Sequence, residues 1–400
     1  MKKPFIAFAL AAAACSPAMA ANEAPDSAGF VFTDIKVVPT NSVKDQNKSG
    51  TCWAYSSTSW IEDEILRKTG KSIDLSEMFT VRQCYDAKAK NYVRRYGEAQ
   101  FSQGGAGTDI LYVWENFGAI PESVYHGQEY GEEKPVHAEM EKGLSGYLKA
   151  VTSRPNRRLS TTWNKAFNGI LDAYLGEVPE TFVYEGVTYT PKSFAESLPI
   201  NPKDYVALTS FTHHPMWKPF VLEVADNWLN DYYYNIPIDD LVKVTEYAIE
   251  HGYSLEWAAD VSEKGFKWTK GYANMPKGKT EADMDGTELS RWVKMSDAER
   301  ENQAYDQRGP VEEIDVTQEL RQQMFDRQET TDDHGMVIVG IAKDQKGNKY
   351  FKVKNSWDTN QIYGGYFYVS IPYFRAKTLD IIVNKEGIPA DILKKLGLNK

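Results

Sequence analysis

Cysteine is scarce: the 400 residues hold three. Positive charge is short as well. There are 46 Lys and Arg against 56 Asp and Glu, a formal net charge of −10, with no basic cluster. Nucleic acid is therefore not an expected partner, and an acidic chain does not seek anionic membrane surfaces. Internal repeats and low-complexity tracts are absent. The apolar stretch PFIAFALAAAAC near the start is shorter than the ~20 residues a membrane helix needs, so no integral membrane segment is expected in the mature chain.

That apolar stretch has another reading. It follows Lys2 and Lys3 and precedes Ala18-Met19-Ala20, the arrangement of a removable export signal. Residues 1–20 are read as a signal peptide and the product as periplasmic or secreted. Cleavage removes two lysines and no acids, so the charge becomes −10 − 2 = −12. Cys15 follows Ala12-Ala13-Ala14, a poor match to a lipoprotein site, and plain export is expected over lipidation. Cys52 and Cys84 remain. In an oxidising compartment they could pair, or stay as buried thiols. The length suits two lobes around one site, or one large domain with an insertion. An apolar content of 42%, with 24 Tyr and 10 Trp, is ample for a packed core.

The context of Cys52 argues against both bland fates. In QNKSGTCW, Ser49-Gly50-Thr51 reads as a tight turn. After it, Trp53, Trp60, Ile61, Ile65 and Leu66 recur at helical spacing. Arg67, Lys68 and then Gly70 mark a helix end. Cys52 thus falls in the first turn of a helix. There the free N–H groups and positive partial charge favour a thiolate and can hold an oxyanion. Gln46, six residues upstream, offers a side-chain NH₂ as a second oxyanion donor.

A cysteine nucleophile needs a base. Of six histidines, His213-His214 lack a helical i, i+4 partner and a nearby Cys or Glu ligand set, so no metal site is expected there. His334 opens the apolar strand HGMVIVGIA, and 21 residues on, KYFKVKNSW ends a second strand at Asn355. A hairpin through DQKGN would set Asn355 beside His334, where it could orient the imidazole, with Trp357 shielding that bond from water.

QNKSGTCW, DHGMVIVG and KNSW resemble, in order, the three active-site blocks of papain-like cysteine peptidases. The resemblance implies Cys52 as nucleophile, His334 as general acid/base, Asn355 as orienting residue and Gln46 in the oxyanion hole. Gly104-Gly105 resembles the glycine pair whose backbone aligns substrate, and LSEM at 75–78 the family's Leu-Ser-Glu block. The long gap between Gly105 and His334, the mere ~25 residues between cleavage site and Gln46, and FRAKTLDIIVNKEGIPADILKKLG are similar to the bleomycin hydrolase/aminopeptidase C branch. The resemblance covers about Val31 to Leu396. It departs at the C-terminal arm, which is not visible after GLNK. That leaves strict aminopeptidase selectivity, and the family's homo-oligomeric ring, open. Asp358 stands where the family commonly has glycine.

The resemblance implies an α+β, papain-like two-lobe fold: a helical lobe at 31–150, an inserted segment at 151–235, and a β-barrel-like lobe at 236–400. KAFNGILDAYLG and IDDLVKVTEYAIEHG are predicted helices, and FVYEGVTYTPKSFAESL a hairpin followed by a helix. TKGYANMPKGKTEADMDGTELSRWV is read as a loop. The expected function is acyl-enzyme hydrolysis of peptide substrates, with no cofactor and no metal. The alternatives are an open-groove endopeptidase, a transglutaminase-like acyltransferase, which Asn355 within NSW speaks against, and a peptide-binding protein on this scaffold.

Overall fold

The computed structural model describes residues 29–154, 157–279, 284 and 286–398. The expected leader, residues 1–20 with Cys15, lies outside them. In chain order the elements are β1 (Phe32–Val37), α1 (Cys52–Thr69), α2 (Glu77–Arg94), α3 (Asp109–Asn116), α4 (Ala138–Thr152), α5 (Trp163–Leu175), β2 (Phe182–Tyr184), β3 (Val187–Tyr189), α6 (Pro191–Ser197), β4 (Tyr205–Thr209), β5 (Pro219–Val221) and β6 (Tyr232–Asn235). There follow α7 (Ile238–Glu250), β7 (Leu255–Ala259), β8 (Phe266–Lys267), β9 (Tyr272–Ala273), α8 (Gly286–Trp292), α9 (Asp297–Tyr305), α10 (Gln318–Asp326), β10 (His334–Asp344), β11 (Lys349–Lys354), β12 (Tyr366–Ser370), α11 (Ile371–Lys377), β13 (Thr378–Asn384) and α12 (Ala390–Leu396).

The class is α+β. Helices α1 to α5 form one side. The strands form an 11-stranded mixed sheet in the order β5-β6-β4-β13-β7-β10-β11-β12-β9-β8, with β1 added to β10. Two features cross the boundaries drawn from sequence. Strand β1 pairs with the outer half of β10, Phe32 facing Asp344, so the first described strand belongs to the strand-rich lobe. Strands β4 to β6 of the 151–235 segment extend the main sheet beside β13. The 269–293 stretch, read as a loop, contains β9 and α8.

Helix α1 positions the site. It ends as its sequence implies: Gly70 adopts φ 71, and its N–H caps the Leu66 carbonyl. Its apolar spacing predicts one buried stripe, yet Glu62, Asp63 and Glu64 are buried too. Each has a partner the sequence does not display. Lys44 lies 3.3 Å from Glu62 and 2.6 Å from Glu77 at the start of α2. Lys354 of β11 lies 3.5 Å from Asp63, which also accepts from the Thr40 hydroxyl at 2.7 Å. Glu64 accepts from Arg67 at 2.9 Å and from Asn384 at 2.8 Å. The helix is thus pinned on several sides, and removing one partner of such a buried pair typically costs ~3–5 kcal/mol.

Against this helix runs β10. A Cβ on Gly335 would meet the Ser56 hydroxyl at 2.6 Å and the Trp53 Cα at 3.3 Å. The glycine after His334 is therefore what lets α1 approach the strand closely enough for Cys52 and His334 to face one cavity.

Candidate active site

Cys52 opens α1 and His334 opens β10, and both line the same two connected hollows. The larger is an open cleft of about 470 Å³ bounded by Gln46, Gly104, Asp226 and Trp357. Both cysteines are free, which removes the disulfide alternative; Cys84 is buried within α2.

His334 is 4% exposed and its Nε2 lies 2.7 Å from Asn355 Oδ1. The hairpin supplies this contact: β10 and β11 pair antiparallel, with Val337 opposite Lys354. The same Oδ1 accepts the Ser356 backbone N–H at 2.7 Å. A backbone N–H can only donate, so that atom is the amide oxygen, and Nε2 must carry the proton. Nδ1 is then the basic nitrogen. Trp357 packs on the imidazole, with centroids 4.5 Å apart and planes at 30°. Asp358 has φ 65, in the left-handed region that glycine enters most freely. The departure from glycine noted in the sequence is accommodated there, with Asp358 Oδ1 accepting the Thr359 N–H at 2.6 Å.

Gln46 is buried and its amide orientation is fixed from both ends. Nε2 donates to the Ser49 carbonyl at 2.9 Å, and Oε1 accepts the Ser356 hydroxyl at 2.7 Å. The Gln46 N–H also donates to the Ser356 carbonyl at 2.9 Å. These bonds use one of the two Nε2 protons, and Gln46 and Cys52 line the same cleft.

Gly104 and Gly105 are close-approach positions. A Cβ on Gly104 would meet Asp226 Oδ2 at 2.2 Å; one on Gly105 would meet Asp109 Oδ2 at 2.6 Å and the Trp53 ring at 2.9 Å. The loop is tied to α1 through Trp53 Nε1 to the Gln103 carbonyl at 2.9 Å, and Gly50 N to Gln103 Oε1 at 2.7 Å. Lys88 donates to the Gly104 carbonyl.

The electrostatics correct one expectation. A helix N-terminus alone should lower the Cys52 pKa. Here burial pushes the thiol up to about 12, with Asp226 and Asp332 adding to the rise, against lowering contacts from the Gly335 and Trp53 N–H groups. Burial likewise holds His334 down to about 4, despite its bond to Asn355. Neither charge is favoured alone. A proton passed from the thiol to the imidazole would make both charges at once, and their attraction at low dielectric would oppose both desolvation penalties.

Several site residues were not legible beforehand. Asp226, Glu256, Asp332 and Asp380 line the narrower hollow beside Cys52. Asp332 and Asp333 stood in the open, directly before His334. Glu256 was signalled only by an acid within a strand whose neighbours are buried. Asp332 and Asp226 line the same hollow, and burial raises the Asp332 carboxyl while the Asp226 backbone amide opposes the rise. The segment carrying Asp226 thus faces the segment carrying His334 across the cleft that Gly104 also lines.

His213 and His214 also depart from expectation. Glu223 supplies the ligand-type carboxylate that sequence distance hid, accepting from His213 Nε2 at 3.0 Å and His214 Nε2 at 2.7 Å. The three groups could hold a metal ion. No helix among the described residues is long and apolar enough to cross a membrane.

The family model "Papain family cysteine protease" matches residues 32–164, and "Peptidase C1-like family" matches 279–399. Aminopeptidase G of Lactobacillus delbrueckii subsp. lactis is 22% identical over 88% of this chain and 83% of its own length. Aminopeptidase C of Listeria monocytogenes is 21% identical over 89% and 83% respectively. The crystal structure of PepW from Lactobacillus rhamnosis superposes with a TM-score of 0.67 at 17% identity, covering 91% of this chain and 84% of that one.

Proposed function

The chain belongs to the papain-like cysteine peptidases, on the side of the bleomycin hydrolase/aminopeptidase C branch, and from that premise we propose that it is an exported aminopeptidase working through Cys52, His334, Asn355 and Gln46. The observation that carries the reading is the fixed tautomer of His334, with Nε2–H committed to Asn355 and a basic Nδ1 left for the thiol of the shared cavity. Cys52 gives its proton to Nδ1 as the sulfur attacks the peptide carbonyl. The Cys52 N–H and the free proton of Gln46 Nε2 receive the developing oxyanion. The imidazolium then protonates the leaving amine. In the second half-reaction His334 takes a proton from water, and hydroxide displaces the thiolate from the acyl group. Residues 1–20 support export.

Selectivity for a free amino terminus is supported by the wall at Asp226. Its carboxylate lies over Gly104, and Asp332 lines the same cleft, so an extended substrate aligned on Gly104-Gly105 meets two acids. The test is a pair of fluorogenic peptides identical except for N-acetylation. Losing one partner of a desolvated charge contact costs ~2 kcal/mol or more, so the free peptide should be cleaved at least about 30-fold more efficiently. Equal cleavage of the two would assign an open-groove endopeptidase.

A further inference from the structure

We propose that the narrow acidic hollow beside Cys52 binds an alkylammonium group carried on the acyl side of the scissile bond. The proposal rests on the peptidase reading above and adds the charge class of the substrate.

The hollow is lined by Asp226, Glu256, Asp332, Asp333 and Asp380 together with Cys52 and His334, and no lysine or arginine lines it. Acids alone would not define a site, since carboxylates can share protons or face water. The decisive observation lies at the floor. Glu256 is 0% exposed and Asp380 5%. Glu256 Oε1 accepts the Ser56 hydroxyl at 2.9 Å, but Glu256 Oε2 and Asp380 Oδ1 have no hydrogen-bond partner among the described residues. Buried carboxylate oxygens without donors are costly, so this floor calls for a cationic donor. Glycine beside the floor makes room for the acid: a Cβ on Gly107 would meet the Glu256 carboxyl carbon at 2.4 Å.

Size narrows the choice. The free volume is about 20 Å³, near that of a single water. An ammonium head with three donors suits such a space, whereas a flat guanidinium with five does not. The hollow shares Cys52, Asp226, Asp332, Asp333 and His334 with the cleft, so a head inside it belongs to a chain whose carbonyl can lie at Cys52. Lys88, bonded to the Gly104 carbonyl, attracts Asp226 and Asp109 from outside the hollow and leaves the floor without a counter-charge. Burial also pushes Glu256 up to about 8 and Asp332 up to about 7; a bound ammonium supplies the positive charge those protons otherwise bring. Two sources offer this chemistry: the substrate's own α-amino group and a lysine side chain.

The test uses binding to Cys52→Ala, which needs no turnover. Calorimetric Kd values are measured for four peptides of equal length, carrying lysine or norleucine on the acyl side, each with a free or acetylated N-terminus. At least one ammonium-bearing peptide should bind about tenfold or more tightly than acetylated norleucine, and Glu256→Gln and Asp380→Asn should each cut that gain to about threefold or less. Loss of the gain on acetylation names the terminus; loss on exchanging lysine for norleucine names the side chain. Asp332→Asn, at the half-buried mouth, stands in if a floor substitution fails to fold. Four Kd values within threefold of one another, or a gain that survives the neutralising substitutions, would overturn the proposal. A wild-type protein that hydrolyses none of the four would instead count against the peptidase reading, with the Kd ratios still deciding this one.

Discussion

Cys52→Ala is expected to abolish peptide hydrolysis, by about 10⁴-fold or more in kcat, while leaving the melting temperature close to that of the parent. In the proposed route the sulfur forms the acyl intermediate, and among the described residues no other thiol lines the cleft. The α1 start depends on Thr51, Gly50 and the Trp53 ring bond, which the substitution leaves in place. His334→Ala should be nearly as severe, because an unassisted thiol here is held protonated by burial. The two losses should not add. Once the nucleophile is gone the base has nothing to activate, so the double variant should be no slower than the worse single one. Steady-state rates on the preferred free peptide, with thermal melts alongside, measure all of this. A Cys52→Ala protein retaining a tenth of parental activity would rule out the covalent route.

Gln46→Ala is expected to lower kcat by ~10²–10³ with a smaller change in KM, the signature of a donor used mainly by the transition state. Gln46 earns this prediction through its rigidity. Ser49 and Ser356 fix the amide at both ends, so its free N–H needs no reorganisation when the oxyanion forms. Ser356→Ala removes one of those supports without touching substrate, and should fall between parent and Gln46→Ala. A kcat for Gln46→Ala within a few-fold of the parent would place the second oxyanion donor elsewhere.

The parts of the fold that were legible are those written locally. Cys52 at a helix start, Gly70 at its end, the β10–β11 hairpin and α7 follow from turn chemistry and apolar period, and the structure has each of them. The site was legible because its four polar members sit in short blocks whose residue types have few other uses together. What the chain did not display are long-range pairings. The burial of Glu62, Asp63 and Glu64 depends on Lys44, Lys354 and Asn384, and an acidic triplet on a helix reads locally as a solvated face. The placement of β4 to β6 in the main sheet depends on β13, about 170 residues later, as the Thr209 hydroxyl bond to the Leu379 carbonyl illustrates. The Cys52 thiol shift was misread for a related reason. The helix terminus is a local feature, whereas the burial and the Asp226 and Asp332 charges that outweigh it come from distant segments.

The central claim is that Cys52 and His334 act as one proton-sharing pair, and iodoacetamide alkylation followed by intact-mass and peptide mapping tests it most directly. Between pH 6 and 7, Cys52 should be modified faster than a free thiol of pKa ~8.5, Cys84 should stay unmodified, and His334→Ala should abolish the low-pH reactivity. Reactivity of Cys52 that begins only in strong base, with the same profile in His334→Ala, would contradict the pair and leave an isolated buried thiol in its place.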